Sequence, residues 1–139
     1  MTTPKFSIVL LAGLIVLTSA ATLKRSSSEL KDKLIGIWKW NTVINSQTNE
    51  DMGIDVVTMG MATEVKTEFR KDNTYIESKL RKGSTEYSTT TGEWKIEKDE
   101  VLNLKPKDTW KPSKILKLSN DTLLLEMNPQ MNLLMIKEK

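Results

Sequence analysis

The side chains that most often do chemistry near neutral pH are missing from this sequence: among its 139 residues there is no His and no Cys. Without His there is no Ser-His-Asp triad and no imidazole metal ligand; without Cys there is no thiol nucleophile, thiolate zinc site or disulfide. What remains for catalysis is paired carboxylates, Glu93 with Glu97 or Glu68 with Glu77 across a hairpin. A glycosidase needs two such groups about 5 to 10 Å apart in a cleft, whereas these glutamates alternate with lysines as on a solvated surface. The chain is therefore expected not to be an enzyme, and no cofactor is expected. Asn49, Glu50, Asp51 and Asp55 offer oxygen ligands for a hard cation, but their spacing is not that of an EF-hand loop, and no metal site is expected.

A second set of residues could bind rather than catalyse. KPKDTWKPSKILK (Lys105 to Lys117) places five lysines and one Asp around Trp110, with Pro106 and Pro112 marking a loop. As a binding patch it would grip a polyanion or an anionic glycan, with Trp110 stacking on a base or sugar ring. As a plain loop its lysines keep the surface solvated. The 21 basic and 18 acidic side chains leave a formal charge of only +3, too small to indicate nucleic acid, and no nucleic-acid partner is expected. Asn120-Asp121-Thr122 is a glycosylation sequon in a turn.

These residues must be positioned by a single domain, since the length suits one hydrophobic core. Residues 1–21 stand apart from it. Lys5 precedes thirteen uncharged residues, Phe6 to Thr18, followed by Ser19, Ala20 and Ala21. This is the pattern of a secretory signal peptide, too short for the roughly 18 to 20 residues of a membrane span. Cleavage after Ala20 or after Ala21 fits equally; the alternative is retention as an anchor running through Leu23 to Lys24 and Arg25. With no Cys after the cleavage site there is no lipid attachment, so the expected location is secreted or periplasmic, with no stable membrane span once the signal is removed. Residues 22–33 read as a Ser-rich linker and a short helical turn, with capping-box spacing between Ser26 and Glu29.

From residue 34 to 139 the pattern is that of strands. LIGIWKWNTVIN (Leu34 to Asn45) puts Leu34, Gly36, Trp38, Trp40, Thr42 and Ile44 on one face; VKTEFRK (Val65 to Lys71) puts Val65, Thr67 and Phe69 on one face. TYIESKLRK (Thr74 to Lys82) alternates Ile76, Ser78 and Leu80 against Tyr75, Glu77, Lys79 and Arg81, with the apolar set expected inward. A long strand follows over Thr85 to Lys98, bent or bulged at Gly92, and then strands around Leu102 and Leu104, Lys114–Ser119, Leu123–Met127 and Asn132–Lys137. Eight short strands spaced by turn residues predict an all-β, antiparallel, up-and-down closed barrel. Glu50 to Glu64 fits helix, strand or loop: Ile54, Val57 and Met61 share a helical face, Met52, Ile54 and Val56 a strand face.

In order and spacing, Gly36-Ile37-Trp38 opening the first strand, F-x-x-D-x-T-Y at Phe69 to Tyr75, G-x-W-x-I at Gly92 to Ile96, and three apolar strands ending in a basic residue resemble the small exported lipocalin-like domains of bacteria. The resemblance covers Leu34 to Lys137. It implies a calycin-type barrel closed at one end by Trp38 beneath a basic side chain, here Lys137, next to Gly36, and a lid over the open mouth formed by the connection from Gln47 to Glu64.

Trp38, Trp40 and Trp94 are expected inside such a barrel with Phe69, Ile76, Leu80, Leu102, Leu116, Leu118, Leu125 and Met127. Those expected to line a cavity for a small apolar or amphipathic ligand are Trp40, Thr67, Phe69, Ile76, Ser78, Leu80, Trp94, Leu125 and Met127, with Thr67, Ser78 and Thr42 orienting it. The other reading is a solid barrel whose loops 50–64 and 105–113 contact a protein or an envelope component. The intact mass of the protein recovered from an export-competent host is expected to lack residues 1–20 or 1–21; an unprocessed mass would establish the anchor instead.

Overall fold

In the computed structural model, residues 26–98 and 100–139 are described; the expected signal peptide and residues 22–25 of the expected linker lie outside them. Helix α1 (Ser27–Leu34) comes first. Its N-cap is Ser26, whose Oγ accepts from the Glu29 N–H at 3.3 Å, so the capping spacing produces the cap. The helix begins earlier and runs longer than the single turn expected, because Leu30 and Leu34, one turn apart, are both buried. Tertiary burial of two leucines, each contributing about 1.5–3 kcal/mol, sustains eight residues that are marginal by propensity.

Eight antiparallel strands follow: β1 (Gly36–Asn45), β2 (Ala62–Phe69), β3 (Thr74–Arg81), β4 (Tyr87–Glu97), β5 (Val101–Lys105), β6 (Lys111–Leu118), β7 (Thr122–Asn128) and β8 (Met131–Lys137). Each pairs with its neighbour in sequence and β8 pairs with β1, giving a closed up-and-down barrel as the strand pattern predicts. One end is sealed. Leu30 and Leu34 of α1 pack there against Trp38, Phe69, Tyr75, Trp94, Leu102, Leu118 and Leu123, each 4% exposed or less.

Towards the other end the ladders come apart at two places. β1 pairs with β2 only from Gly36↔Phe69 to Lys39↔Lys66, and β4 pairs with β5 only from Glu93↔Lys105 to Glu97↔Val101. Tyr87–Thr91 therefore pairs with β3 alone among the described residues. Above the first parting, β1 pairs instead with the chain that leaves it. Met52 N–H donates to Val43 O at 2.8 Å and Asn45 N–H to Glu50 O at 2.9 Å, with an antiparallel bridge between Ile44 and Asp51. The stretch 50–64 is thus strand-like at its start, then a four-residue helix, α2 (Asp55–Thr58), then the beginning of β2.

Several expected orientations are corrected. Residues opposite one another in an antiparallel ladder share a face. Tyr75, Glu77 and Lys79 lie opposite the buried Phe69, Thr67 and Val65, so this set faces inward. Ile76, Ser78 and Leu80, opposite Glu68, Lys66 and Glu64, face outward. Register shifts account for three more. One between Trp40 and Thr42 turns Val43 inward, fully buried, in place of Ile44; one between Ile115 and Lys117 leaves Leu116 41% exposed; one between Glu126 and Asn128 leaves Met127 39% exposed. Gly92 is not a bulge: the β3–β4 register runs through it without a shift.

Gly92 has a packing reason instead. A Cβ there would lie 2.6 Å from both the Lys105 carbonyl oxygen and the Tyr75 ring. Gly92→Ala is expected to lower stability by about 1–3 kcal/mol through overpacking, read as a lower midpoint in urea; an unchanged midpoint would show that Tyr75 and β5 yield without cost.

Candidate functional site

The three side chains expected to close the barrel come together at the sealed end. Trp38 Nε1–H donates to Leu34 O at 2.8 Å, Lys137 Nζ lies 5.4 Å from the Trp38 ring centroid, and the same Nζ donates to Lys33 O at 3.1 Å. The Lys137 stem crosses Gly36, where a Cβ would sit 2.5 Å from its Cε; glycine at that position lets the lysine lie flat over the end of the barrel. Trp94 belongs here too. Its Nε1–H donates to Arg70 O at 3.0 Å and its ring meets Phe69 edge-on at 5.5 Å, so both are packed core. Leu125 is likewise buried core.

Of the residues expected to line a cavity, Trp40 and Thr67 are bonded to each other at the top of the packed core, with Thr67 buried. The half-buried Trp40 donates from Nε1 to Thr67 Oγ1 at 2.9 Å, spanning the point where β1 and β2 part. Above it the interior is wet. Lys79, Arg81, Ser88, Thr90 and Lys111 continue the inward-facing register and are all exposed. Glu77 and Lys79 form an ion pair at 3.1 Å on this wall. Burial pushes the Tyr75 phenol upward, with the Glu77 carboxylate adding to the shift. Alternation in β3 could not reveal the wall, because its two apolar residues face out.

The lid is fastened by Thr42. Its hydroxyl donates to Asp51 Oδ1, and the Gly53 N–H reaches both Asp51 Oδ1 at 2.9 Å and Thr42 Oγ1 at 3.0 Å. Thr42 is thus committed to the lid rather than to a ligand. The Thr42 hydroxyl, and then the Gly53 N–H, hold the Asp51 carboxyl below its ordinary value. Beyond α2 the chain turns through Met59, left-handed at φ 55°, and Gly60 at φ 69°, which leaves Met59 82% and Met61 63% exposed. Between this segment and β3 lies a pocket of about 610 Å³, in the volume range of small-molecule sites, lined by Val57, Thr58, Met59, Met61, Ala62, Lys79, Arg81, Lys82 and Ser88 with Gly60.

The remaining candidates do not converge on chemistry. Ser78, Ile76 and Leu80 lie outside, beside a network in which Lys66 bridges Glu138 at 2.6 Å and Glu64 at 3.1 Å, and Tyr87 donates to Glu64 at 2.9 Å. Those partners, Glu138 first, raise the Lys66 ammonium, while the Tyr87 hydroxyl and Lys66 lower Glu64. Glu93 pairs with Lys105 and Glu97 with Lys95. Trp110 has Lys95 Nζ at 4.2 Å and Lys105 Nζ at 5.6 Å from its ring centroid. Among the described residues no cluster of three or more His, Cys, Asp or Glu is placed to hold a metal, and no helix is long and apolar enough to cross a membrane.

A closed antiparallel up-and-down barrel of eight strands with one short helix near its start defines a lipocalin-like fold class. Residues 34–125 match the Lipocalin-like domain family, and the chain belongs to it. Two solved structures share the fold. A lipocalin-like protein from Bacteroides uniformis is 16% identical with a TM-score of 0.58, and an uncharacterized protein from Bacteroides eggerthii is 13% identical with a TM-score of 0.56; each match covers 76% of this chain and 99% of the other. A search among curated proteins gives no match.

Because the Asp51 pKa is depressed by folding, its contribution is present above the ordinary carboxylate range and lost as pH falls through the lowered value. Asp51→Asn is expected to reduce amide protection across residues 52–61 near neutral pH, and the difference from the parent protein is expected to shrink in acid. Equal protection in the two proteins near neutral pH would show that the lid is held otherwise.

Proposed function

We propose that this chain is an exported, non-enzymatic binding protein that holds a small amphipathic molecule in the open half of its barrel. The observation that carries the reading is the change along the interior. Inward side chains are sealed from Trp38 and Phe69 up to Val43 and Val65, whereas from Lys79 and Arg81 to Ser88 and Thr90 they are exposed. A small barrel can be filled by its own side chains or hold one ligand; the exposed inward residues of β3 and β4 support the second at this end. The apolar part of a ligand would meet Trp40 and the lid methionines, and its polar part the Lys79–Arg81 wall. Export rests on the signal-peptide pattern of residues 1–21, and the absence of enzymatic activity on the missing His and Cys and on carboxylates paired to lysines at the surface.

Native mass spectrometry of the exported protein is expected to show a stoichiometric adduct on the order of a few hundred daltons, the mass of a pocket-sized ligand. Trp40→Ala is expected to lose the adduct while Gln47→Ala, in the exposed turn after β1, keeps it. A bare chain, before and after incubation with host lipid extract, would overturn the carrier reading in favour of a scaffold whose loops 50–64 and 105–113 bind a partner.

A further inference from the structure

The parting of β4 from β5 leaves a strand edge that the barrel's role as a container does not require. Trp94 N–H donates to Asn73 O at 2.9 Å, so Trp94 and Asn73 form a hydrogen-bonded pair of the β3–β4 ladder. Such pairs alternate with pairs whose backbone groups point away from each other. The register runs unbroken through Thr91↔Ile76, Thr89↔Ser78 and Tyr87↔Leu80, which are therefore of the second kind. Tyr87, Thr89 and Thr91 thus aim their N–H and C=O groups at the open side, where no strand meets them among the described residues, and Tyr87–Thr91 is exposed throughout. Sheet edges are ordinarily blunted by a lysine, a proline or a bulge. This one has none of the three: Tyr87 to Gly92 carries no charge and no proline, and its register does not shift.

An unguarded edge accepts another strand, and this one is complementary to itself. We propose that Tyr87–Thr91 pairs antiparallel with the same segment of a second copy of the chain, about a two-fold axis at Thr89. In that register Thr89 lies opposite its counterpart and Tyr87 opposite Thr91 of the second copy, so each residue whose backbone groups face the open side meets another of the same kind. No like charges are opposed: Glu86 falls opposite Gly92, and Glu93, paired with Lys105 at 3.5 Å, falls opposite Thr85. Centring the axis on Tyr87 would set Thr91 against Gly83 in the β3–β4 turn, and centring it on Thr91 would set Thr89 against Glu93, which β5 already occupies. The outer faces also join. Ile76, Ser78 and Leu80, half-buried and uncharged, flank Thr91, Thr89 and Tyr87, so four strands would present one uncharged face across two barrels. Threonines set opposite each other add hydroxyl hydrogen bonds to the ladder. Because each copy offers and receives the same edge, the contact is isologous and closes at two. The inference goes beyond the carrier reading and does not depend on it.

The protein recovered from an export-competent host is expected to dimerise with rising concentration in sedimentation velocity, and amide protection at Thr89 and Thr91 to rise in step. Thr89→Lys and Thr89→Glu each set like charges directly opposite one another. Either is expected to weaken association at least tenfold with its urea midpoint kept, and mixing the two to restore it as a mixed dimer. Because the chain has no Cys, Thr89→Cys reads the register directly. The Cα atoms of a hydrogen-bonded antiparallel pair stand about 5.5 Å apart, within the span of a disulfide. Mild oxidation is therefore expected to link Thr89→Cys chains at least tenfold faster than Gln47→Cys chains, a readout that stands even if a charged variant folds poorly. A monomer at every concentration, a dimer that both charged variants leave intact, or equal linking rates at the two positions would overturn the proposal. A monomer whose Thr89 and Thr91 amides become protected only in host lysate would assign the edge to another protein and overturn it as well.

Discussion

The buried hydrogen bond from the Trp38 indole to the Leu34 carbonyl fixes what the rest of the barrel is able to be. It ties the end of α1 to the first turn of β1, so the helix must lie across the barrel rather than project from it. With Leu30 and Leu34 inserted and Lys137 stretched over Gly36, the end is closed by its own chain and needs no disulfide. Sealing one end also concentrates the apolar core there. The large aromatic residues Trp38, Phe69, Tyr75 and Trp94 are all consumed in that plug, and the strands above it are relieved of holding the fold together.

That relief explains the two partings in the sheet. Where β1 leaves β2, the Trp40–Thr67 bond takes the place of ladder hydrogen bonds, and the lid takes the place of a neighbouring strand along upper β1. Where β4 leaves β5, nothing among the described residues replaces the partner, and both faces of Tyr87–Thr91 meet solvent. The hydrated wall and the partings are one arrangement. Charged residues such as Glu77, Lys79 and Arg81 can face inward only where water reaches them, and water reaches them because the ladders have opened.

How much of this could be read from the sequence follows from the same division. Strand number, order, barrel closure and the Ser26 cap were legible, because turn residues and alternation leave strong local signals, whereas the Trp38–Lys137 pair was legible only through the resemblance to lipocalin-like domains. The inward faces of β2 and β5 were legible too, since their apolar residues do line a dry core. β3 misled for a physical reason: alternation reports that a strand has two faces, but assigning the apolar face to the interior assumes a dry interior. Ile76 and Leu80 are half-buried on the outside while charges occupy a wet inside. Single-residue register shifts at Asn41, Leu116 and Met127 reverse parity without any glycine or proline to announce them. The fastening of the lid by Thr42 and Asp51 joins residues whose types suit many roles, and only their meeting in space assigns one.

The β8–β1 pairing sets the order in which such a chain can assemble. Every other ladder joins neighbours in sequence, so seven hairpins can form as soon as their own residues are available. Trp38 and Lys137 meet only after all of them, since they stand at opposite ends of the strand series. Loop-closure entropy must be overcome before a distant contact returns any stabilisation, which makes such contacts the slow ones. Closure therefore comes last: until β8 arrives, β1 has a bare edge and Lys137 is not in place over Trp38. Closing the barrel and seating Lys137 over Trp38 are thus a single step.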